Sequence, residues 1–396
     1  MGRRATYGLR SSTLATATLA LLAAFGPACG SKTGLLIPDS GPDAGWDSGL
    51  LPDPMGCPPG EPVDVLFVVD NSRSMVEEQA SLAAGMPALM EALVVPPDLD
   101  GDGTADWNPV TNLHVGVINT DLGVFGFDVG SCERPIGGDG ILRNVGDPSS
   151  FECLRRYPRF LTYRGGSSED VVRDLGCIIS VGSDGCGHEQ PLEAALKALT
   201  PSSSDIRFQR GTGHGDGVNE GFLRPDSFLV LVIVTDEDDC SAADPALFDP
   251  ESTVYTEHPN LRCYLHGVED GALHPISRFA EGLRALRLRA GERIGVALIA
   301  GVPPDLATEG DLSGFDAILA DPRLDIRIDD TEPMLPQPSC EAEGLGRAHP
   351  PRRLVELTRQ FAPDATAQSI CQADLRPAIG ALARLIGERP CDLDTD

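Results

Sequence analysis

The chain has 396 residues, 60 of them acidic and 31 basic, which gives a formal net charge of −29 at pH 7. So acidic a surface argues against nucleic acid as a partner and favours divalent cations. Eleven cysteines indicate an oxidising compartment in which disulfide bonds form.

The first 28 residues have the pattern of a secretory signal peptide. Arg3, Arg4 and Arg10 precede an apolar stretch at residues 14–25, which is shorter than a membrane-spanning helix requires. No later segment is long enough to span a membrane either. The mature protein is therefore expected outside the cytoplasm.

Cys29 lies where a bacterial lipoprotein would be cleaved and acylated. Gly26 stands where the lipoprotein pattern usually has Leu, so an ordinary signal-peptidase cut before Cys29 is the alternative. Acylation of Cys29 leaves ten cysteines, an even number for five disulfides. Residues 29–60 are rich in Pro, Gly, Asp and Ser, as a flexible tether is. We expect a cell-envelope lipoprotein anchored to the outer membrane, with a periplasmic or secreted protein as the alternative.

Residues 61–391 are predicted to form one α/β domain. Apolar runs predict strands at 63–69, 113–118, 160–163, 227–234, 293–300, 324–328 and 366–370. Helical spacing predicts helices at 76–93, 168–176, 189–199, 275–290, 351–361 and 373–387. The alternation predicts a doubly wound, mostly parallel sheet with helices on both faces. Disulfide-bridged loop insertions are expected near 124–165, 237–272 and 301–350.

Polar residues follow two of the predicted strands. Asp70, Ser72 and Ser74 come directly after the first strand, and Asp236 follows the strand at 227–234. In a doubly wound sheet such residues meet at the carboxyl edge, where ligands bind. Their oxygens are the hard donors that Mg²⁺, Mn²⁺ and Ca²⁺ prefer. The alternative is a serine that only caps the following helix.

These motifs resemble the metal-ion-dependent adhesion site of von Willebrand factor type A (VWA) domains, over residues 61–390. The resemblance implies that Ser72 and Ser74 bind the metal directly and that Asp70 and Asp236 act through water. It also implies that an acidic side chain of a protein partner completes the coordination. The family usually adds a Thr from a glycine-rich loop. The loop at 182–187 has no Thr, so Ser183 or Asp184 is expected to substitute, and an Asp would favour Ca²⁺.

A second acidic motif lies at residues 98–106. Asp98, Asp100, Asp102 and Asp106 occupy positions one, three, five and nine of an EF-hand calcium loop, with Gly at position six. Position twelve is Pro109 where the EF-hand has Glu. The sequence predicts a short calcium loop, with a solvated acidic turn as the alternative.

The sequence carries none of the motifs that we tested for catalysis. It has no zinc-protease helix, no nucleophile elbow and no phosphate-binding loop. We therefore expect a binding module, not an enzyme, that captures a protein partner through its metal. A structural envelope lipoprotein, in which bound ions only stabilise the fold, is the alternative.

Disulfide pairings are predicted on the assumption that cysteines close in sequence pair. This assumption gives the pairs Cys177–Cys186, Cys132–Cys153, Cys240–Cys263 and Cys340–Cys371. Cys57 and Cys391 flank the domain, and because domain termini often lie close together we pair them with each other.

Overall fold

The computed structural model describes residues 60–130, 132, 137–147, 153–287, 293–342 and 346–389. Within these ranges the strands are β1 (Val63–Val69), β2 (Leu113–Asn119), β3 (Leu161–Tyr163), β4 (Phe228–Val234), β5 (Ile294–Ala300), β6 (Thr308–Glu309), β7 (Cys340–Ala342), β8 (Gly346–Ala348) and β9 (Ala365–Ser369). The α-helices are α1 (Val76–Val94), α2 (Glu169–Ile179), α3 (Pro191–Leu199), α4 (Pro259–Leu265), α5 (Ile276–Leu286), α6 (Leu312–Ala320), α7 (Arg352–Arg359) and α8 (Arg376–Gly387).

Seven of the strands form one sheet in the order β3-β2-β1-β4-β5-β9-β6. The five inner strands pair in parallel, while β3 and β6 pair antiparallel at the two edges. Strands β7 and β8 form a separate hairpin. The predicted α/β fold with a mostly parallel sheet is confirmed.

Each face of the sheet packs against its own set of helices. Val65 and Phe67 of β1 belong to a core shared with α1, α2 and α8, whereas Leu66 and Val68 belong to a core shared with α3, α5, α6 and α7. Burial on both faces explains why the central strands are continuous apolar runs. β1 and β4 are buried along their whole length.

The predicted strand at 324–328 is wrong. Its alternating apolar residues suggested a strand, but a short 3-10 helix at Pro322–Leu324 occupies its start. The free edge of β9 is already taken by β6. Helix α6, in the segment expected to be loop, begins at Leu312 and is capped by Asp311, whose side chain accepts a hydrogen bond from Ser313 N at 2.9 Å. Helix α4 likewise interrupts the predicted insertion at 237–272.

Four disulfides lie among the described residues, and two of the predicted pairings are confirmed: Cys240–Cys263 and Cys340–Cys371. The other two are wrong, because the structure pairs Cys132 with Cys186 and Cys153 with Cys177. The reason is spatial. Cys177 lies on α2 and packs in the core that α2 shares with α1, whereas Cys186 packs in a loop cluster around Phe248. Cysteines that are close in sequence therefore belong to different parts of the fold.

Several predictions fall outside the described residues. They are the signal peptide, Cys29, the tether up to residue 59 and the Cys57–Cys391 bridge. None of the described helices has both the length and the apolar character that crossing a membrane requires.

Candidate metal centre at the carboxyl edge of the sheet

The turn after β1 and the turn after β4 lie side by side. The two strands run parallel with Val69 opposite Val234, and Asp70 N donates to Val234 O at 2.9 Å. Asp70 and Asp236 therefore emerge from the same edge of the sheet.

Hydrogen bonds and a short hydroxyl contact join the two strand ends into one network. Asp70 Oδ1 accepts from Ser72 N at 2.7 Å, and Asp70 Oδ2 accepts from Thr235 Oγ1 at 2.6 Å. The hydroxyl of Ser72 lies 3.1 Å from that of Ser74. Asp236 directly follows Thr235, and the nearby Ser74 side chain acts to lower its pKa. The oxygens of both strand ends are thus gathered at one place.

This network is buried at its carboxylates and open at one hydroxyl. Asp70 and Asp236 are 0% and 3% exposed, whereas Ser74 is exposed. Asp236 Oδ1 is buried and has no hydrogen-bond partner among the described residues. An acceptor buried without a partner is costly, and a cation smaller than water would satisfy it.

Glu189 is a member of the site that the sequence analysis missed. It is 1% exposed, and its Oε1 has no hydrogen-bond partner in the described part of the chain. Burial raises the pKa of Glu189 well above its ordinary value, and the charges of Glu237 and Asp70 raise it further. Glu189 was assigned to a helix predicted from residue 189, but α3 begins only at Pro191. Gln190 N donates to Thr120 O at 3.0 Å, one residue past the end of β2, which puts Glu189 at the carboxyl edge of the sheet.

Mutual repulsion and burial set the electrostatics of the site. Burial raises the pKa of Asp70, with a contribution from the charge of Asp121, and burial and Asp70 raise that of Asp236 well above its ordinary range. Burial and the Asp70 charge raise the pKa of Glu237 to about 7, although Glu237 shares a hydrogen bond with Glu189 that lowers it. Carboxylates held this close favour protons or cations.

The glycine-rich loop that carries Ser183 and Asp184 is hydrogen-bonded through its backbone to the neighbourhood of residues 70–74. This turn after β1 contains three of the predicted ligands, and we call it the metal turn. Gln79 Nε2 donates to both Asp70 O and Gly182 O at 2.8 Å, and Gly185 N donates to Asn71 O at 2.8 Å. Asp184 itself is exposed and lines a cleft of about 550 Å³ next to Asn71. Ser183 is half-buried. Glu189, a few residues on, is buried and interacts with the charge of Asp70.

The oxygen donors fit a hard divalent cation, provided that carboxylates are not its only ligands. Among the described residues, two groups of three potential ligands have atoms within 4.8 Å of one another, and neither includes Asp70. Asp70, Asp236 and Glu189 therefore do not form a tight carboxylate cage. Serine hydroxyls and water would have to share the coordination, as is usual for Mg²⁺ and Ca²⁺. The group formed by His188, Cys240 and Cys263 contains a disulfide and is structural.

No family model matches the sequence, and no curated protein matches it. Among solved structures, one similar chain is proximal thread matrix protein 1 from the mussel byssus, at a TM-score of 0.25 and 12% identity. The alignment covers 61% of this chain and 38% of that protein. We take neither fold nor function from a similarity of this level.

The acidic motif at residues 98–106 forms a compact turn. Carboxylate oxygens of Asp98, Asp100 and Asp102 lie within 4.8 Å of one another. Asp98 accepts hydrogen bonds from the backbone of residues 101–103, and Asp106 Oδ2 accepts from Leu99 N at 2.6 Å. Gly101 and Gly103 have φ of +76° and +92°, which glycine adopts without strain. The three carboxylates are exposed, so calcium binding here stays a prediction.

Proposed function

We propose that the domain is a VWA-type, doubly wound module that binds a divalent cation, Mg²⁺, Ca²⁺ or Mn²⁺, at the carboxyl edge of its sheet. Ser72 and Ser74 would bind the ion directly, and Asp70 and Asp236 mainly through water. The ion would capture an acidic side chain of a protein partner at the cell envelope, to which a lipid on Cys29 tethers the protein. No catalytic step is part of this function.

One observation carries the proposal: Asp70 is hydrogen-bonded to both Ser72 N and Thr235 Oγ1, and beside them lies an unpartnered buried oxygen on Asp236. Four hard oxygen donors from two strand ends meet where a parallel sheet binds ligands. The strand order, with β3, β2 and β1 on one side and β4 and β5 on the other, supports the doubly wound assignment.

Ser74 favours a binding role over a purely structural one. Its hydroxyl is exposed while the carboxylates behind it are buried, so an ion held there would face solvent on one side. A partner could add a ligand from that side without any rearrangement of the core.

A structural ion is the second candidate, and Glu189 favours it. A buried carboxylate with an unpartnered oxygen adds negative charge to the coordination and can bind the ion from inside. An ion saturated by the protein's own groups would stabilise the fold and bind no partner.

The double variant Ser72→Ala/Ser74→Ala separates the two functions. We expect this variant to show no Mn²⁺ binding in calorimetric titration. We also expect wild type to capture envelope proteins in the absence of a chelator and to release them when a chelator is added, whereas the variant should capture none. Ser203→Ala, at an exposed serine, is the matched control and should behave as wild type. A chelator that lowers stability but leaves capture unchanged would favour the structural ion. Wild type that binds no Mn²⁺, Mg²⁺ or Ca²⁺ would refute both functions.

A further inference from the structure

Glu189 is held at the site by its backbone and has two possible partners for its side chain. Its carbonyl accepts from Cys240 N at 2.7 Å, and Gln190 N donates to Thr120 O at 3.0 Å. The side chain interacts with that of Glu237, and its Oε1 is buried with no hydrogen-bond partner among the described residues. One carboxylate oxygen is thus available inside the site.

The number of carboxyl groups around the site determines how this oxygen affects partner binding. Asp70, Asp236, Glu189 and Glu237 supply four carboxyl groups around a site for one divalent ion, and the charges of Asp70 and Glu237 both act on Asp236 and on Glu189. Like charges a few ångströms apart in a buried site repel strongly. A fifth carboxylate, brought by a partner, therefore meets an ion whose positive charge is already compensated.

The inner and outer ligands approach the ion from different sides. Glu189 is 1% exposed and can reach the ion only from the protein interior, whereas Ser74 is exposed to solvent. Competition between Glu189 and a partner is therefore mainly electrostatic, through the charge that each donates to the same ion. The hydrogen bond to Glu237 gives Glu189 another partner when it is not bound to the ion.

We propose that Glu189 is an internal ligand of the ion that weakens the capture of an acidic group, so that it sets the strength of partner binding. This inference rests on the proposed metal site. As a ligand, Glu189 increases the affinity of the protein for the cation. At the same time it decreases the affinity of the bound cation for an external carboxylate.

The test measures two affinities on the full chain, with Mn²⁺ as the ion and acetate as the external carboxylate. Mn²⁺ binding is measured by calorimetry. Acetate binding to the Mn²⁺-loaded protein is measured by the fall in solvent proton relaxation as acetate displaces Mn²⁺-bound water. Glu189→Gln should weaken Mn²⁺ binding by about tenfold or more and strengthen acetate binding severalfold. The two changes have opposite signs, which a loss of folding does not produce.

Two further variants complete the experiment. Glu193→Gln is the matched control, because Glu193 lies four residues on in α3 and pairs with Arg278 at 2.8 Å; it should leave both affinities unchanged. Glu189→Asp keeps the charge and shortens the side chain, and its acetate affinity should stay near that of wild type. If wild type binds Mn²⁺ but Glu189→Gln leaves acetate affinity unchanged or lower, the inference is wrong while the metal site stands. If wild type binds neither Mn²⁺ nor Mg²⁺ nor Ca²⁺, the proposed function itself is wrong.

Discussion

Glu78 and Glu237 are two carboxyl groups beside the metal turn whose protonation controls stability. Burial is the main cause that raises the pKa of each to about 7, from an ordinary value of 4.5, and the charge of Asp70 adds to both. Between these two pH values the folded chain binds protons that the unfolded chain has released. The resulting stability is fully present below about pH 4.5 and is lost as the pH rises through about 7.

We therefore expect the free energy of unfolding of the ion-free protein to fall between about pH 5 and about pH 8. A divalent ion replaces the lost protons, so its stabilising effect should be larger at the higher pH. Urea unfolding at both pH values, with chelator and with Mg²⁺ or Ca²⁺, measures this. The variant Glu78→Gln/Glu237→Gln is the control and should flatten the dependence. Equal slopes in the variant and wild type would contradict the assignment to these groups.

Gln79 is the residue that fastens the metal turn to the glycine-rich loop. Gln79→Leu preserves much of the volume but leaves Asp70 O and Gly182 O without their common donor. We expect a loss of about 1–3 kcal/mol in unfolding free energy and weaker Mn²⁺ binding. Gln360→Leu, at an exposed position, should change neither. Thermal unfolding and calorimetry measure both effects, and unaltered Mn²⁺ affinity in Gln79→Leu would show that the turn needs no such support.

At the scale of elements, the buried strands could be predicted because burial on both faces leaves an unambiguous apolar run. β1 and β4 have the predicted positions to within one residue, and this accuracy places Asp70 and Asp236 at their ends. Glu189 could not be placed, since its role depends on whether α3 begins at residue 189 or 191. Helix starts are less well determined by sequence than strand interiors, and here the difference decides where a carboxylate lies.

The turn at 98–106 is an element whose function titration can decide. We expect Ca²⁺ calorimetry on wild type to show one site that Asp100→Ala/Asp102→Ala removes, because these carboxylates lie within 4.8 Å of each other. The site at the sheet edge should be unaffected in this variant. An identical isotherm for the variant and wild type would mean that the turn is only a solvated acidic loop.

Disulfide pairing depends on how the elements pack, so it could be predicted from the sequence only in part. Cys240–Cys263 and Cys340–Cys371 join cysteines 23 and 31 residues apart, whereas Cys132–Cys186 joins segments 54 residues apart. The pairing of Cys57 with Cys391 stays a prediction. Peptide mapping under non-reducing conditions should yield a fragment joining these two, and a fragment that joins Cys57 to another cysteine would disprove it.

For the whole molecule, the predicted anchor can be tested independently of the metal. If Cys29 is acylated, Cys29→Ser should release the protein from the membrane fraction into the periplasm or the medium. Incorporation of labelled palmitate should be lost at the same time. Cys240→Ser, which removes a disulfide partner, is the control and should keep the label. Wild-type protein that is soluble and unlabelled would show an ordinary secretory signal instead.

The position of β1 at the centre of the sheet has a mechanical consequence. β1 begins just after the proposed tether and ends at the proposed metal turn, so an anchored protein that holds a partner would be pulled at opposite ends of this strand. β2 and β4 flank it in parallel register along all seven residues, Val63–Val69. Tension along β1 therefore loads both rows of hydrogen bonds in shear, so that they resist together and do not peel apart one by one. In an anchored protein, the strand that ends at the proposed site would therefore also be the one that transmits force to the envelope.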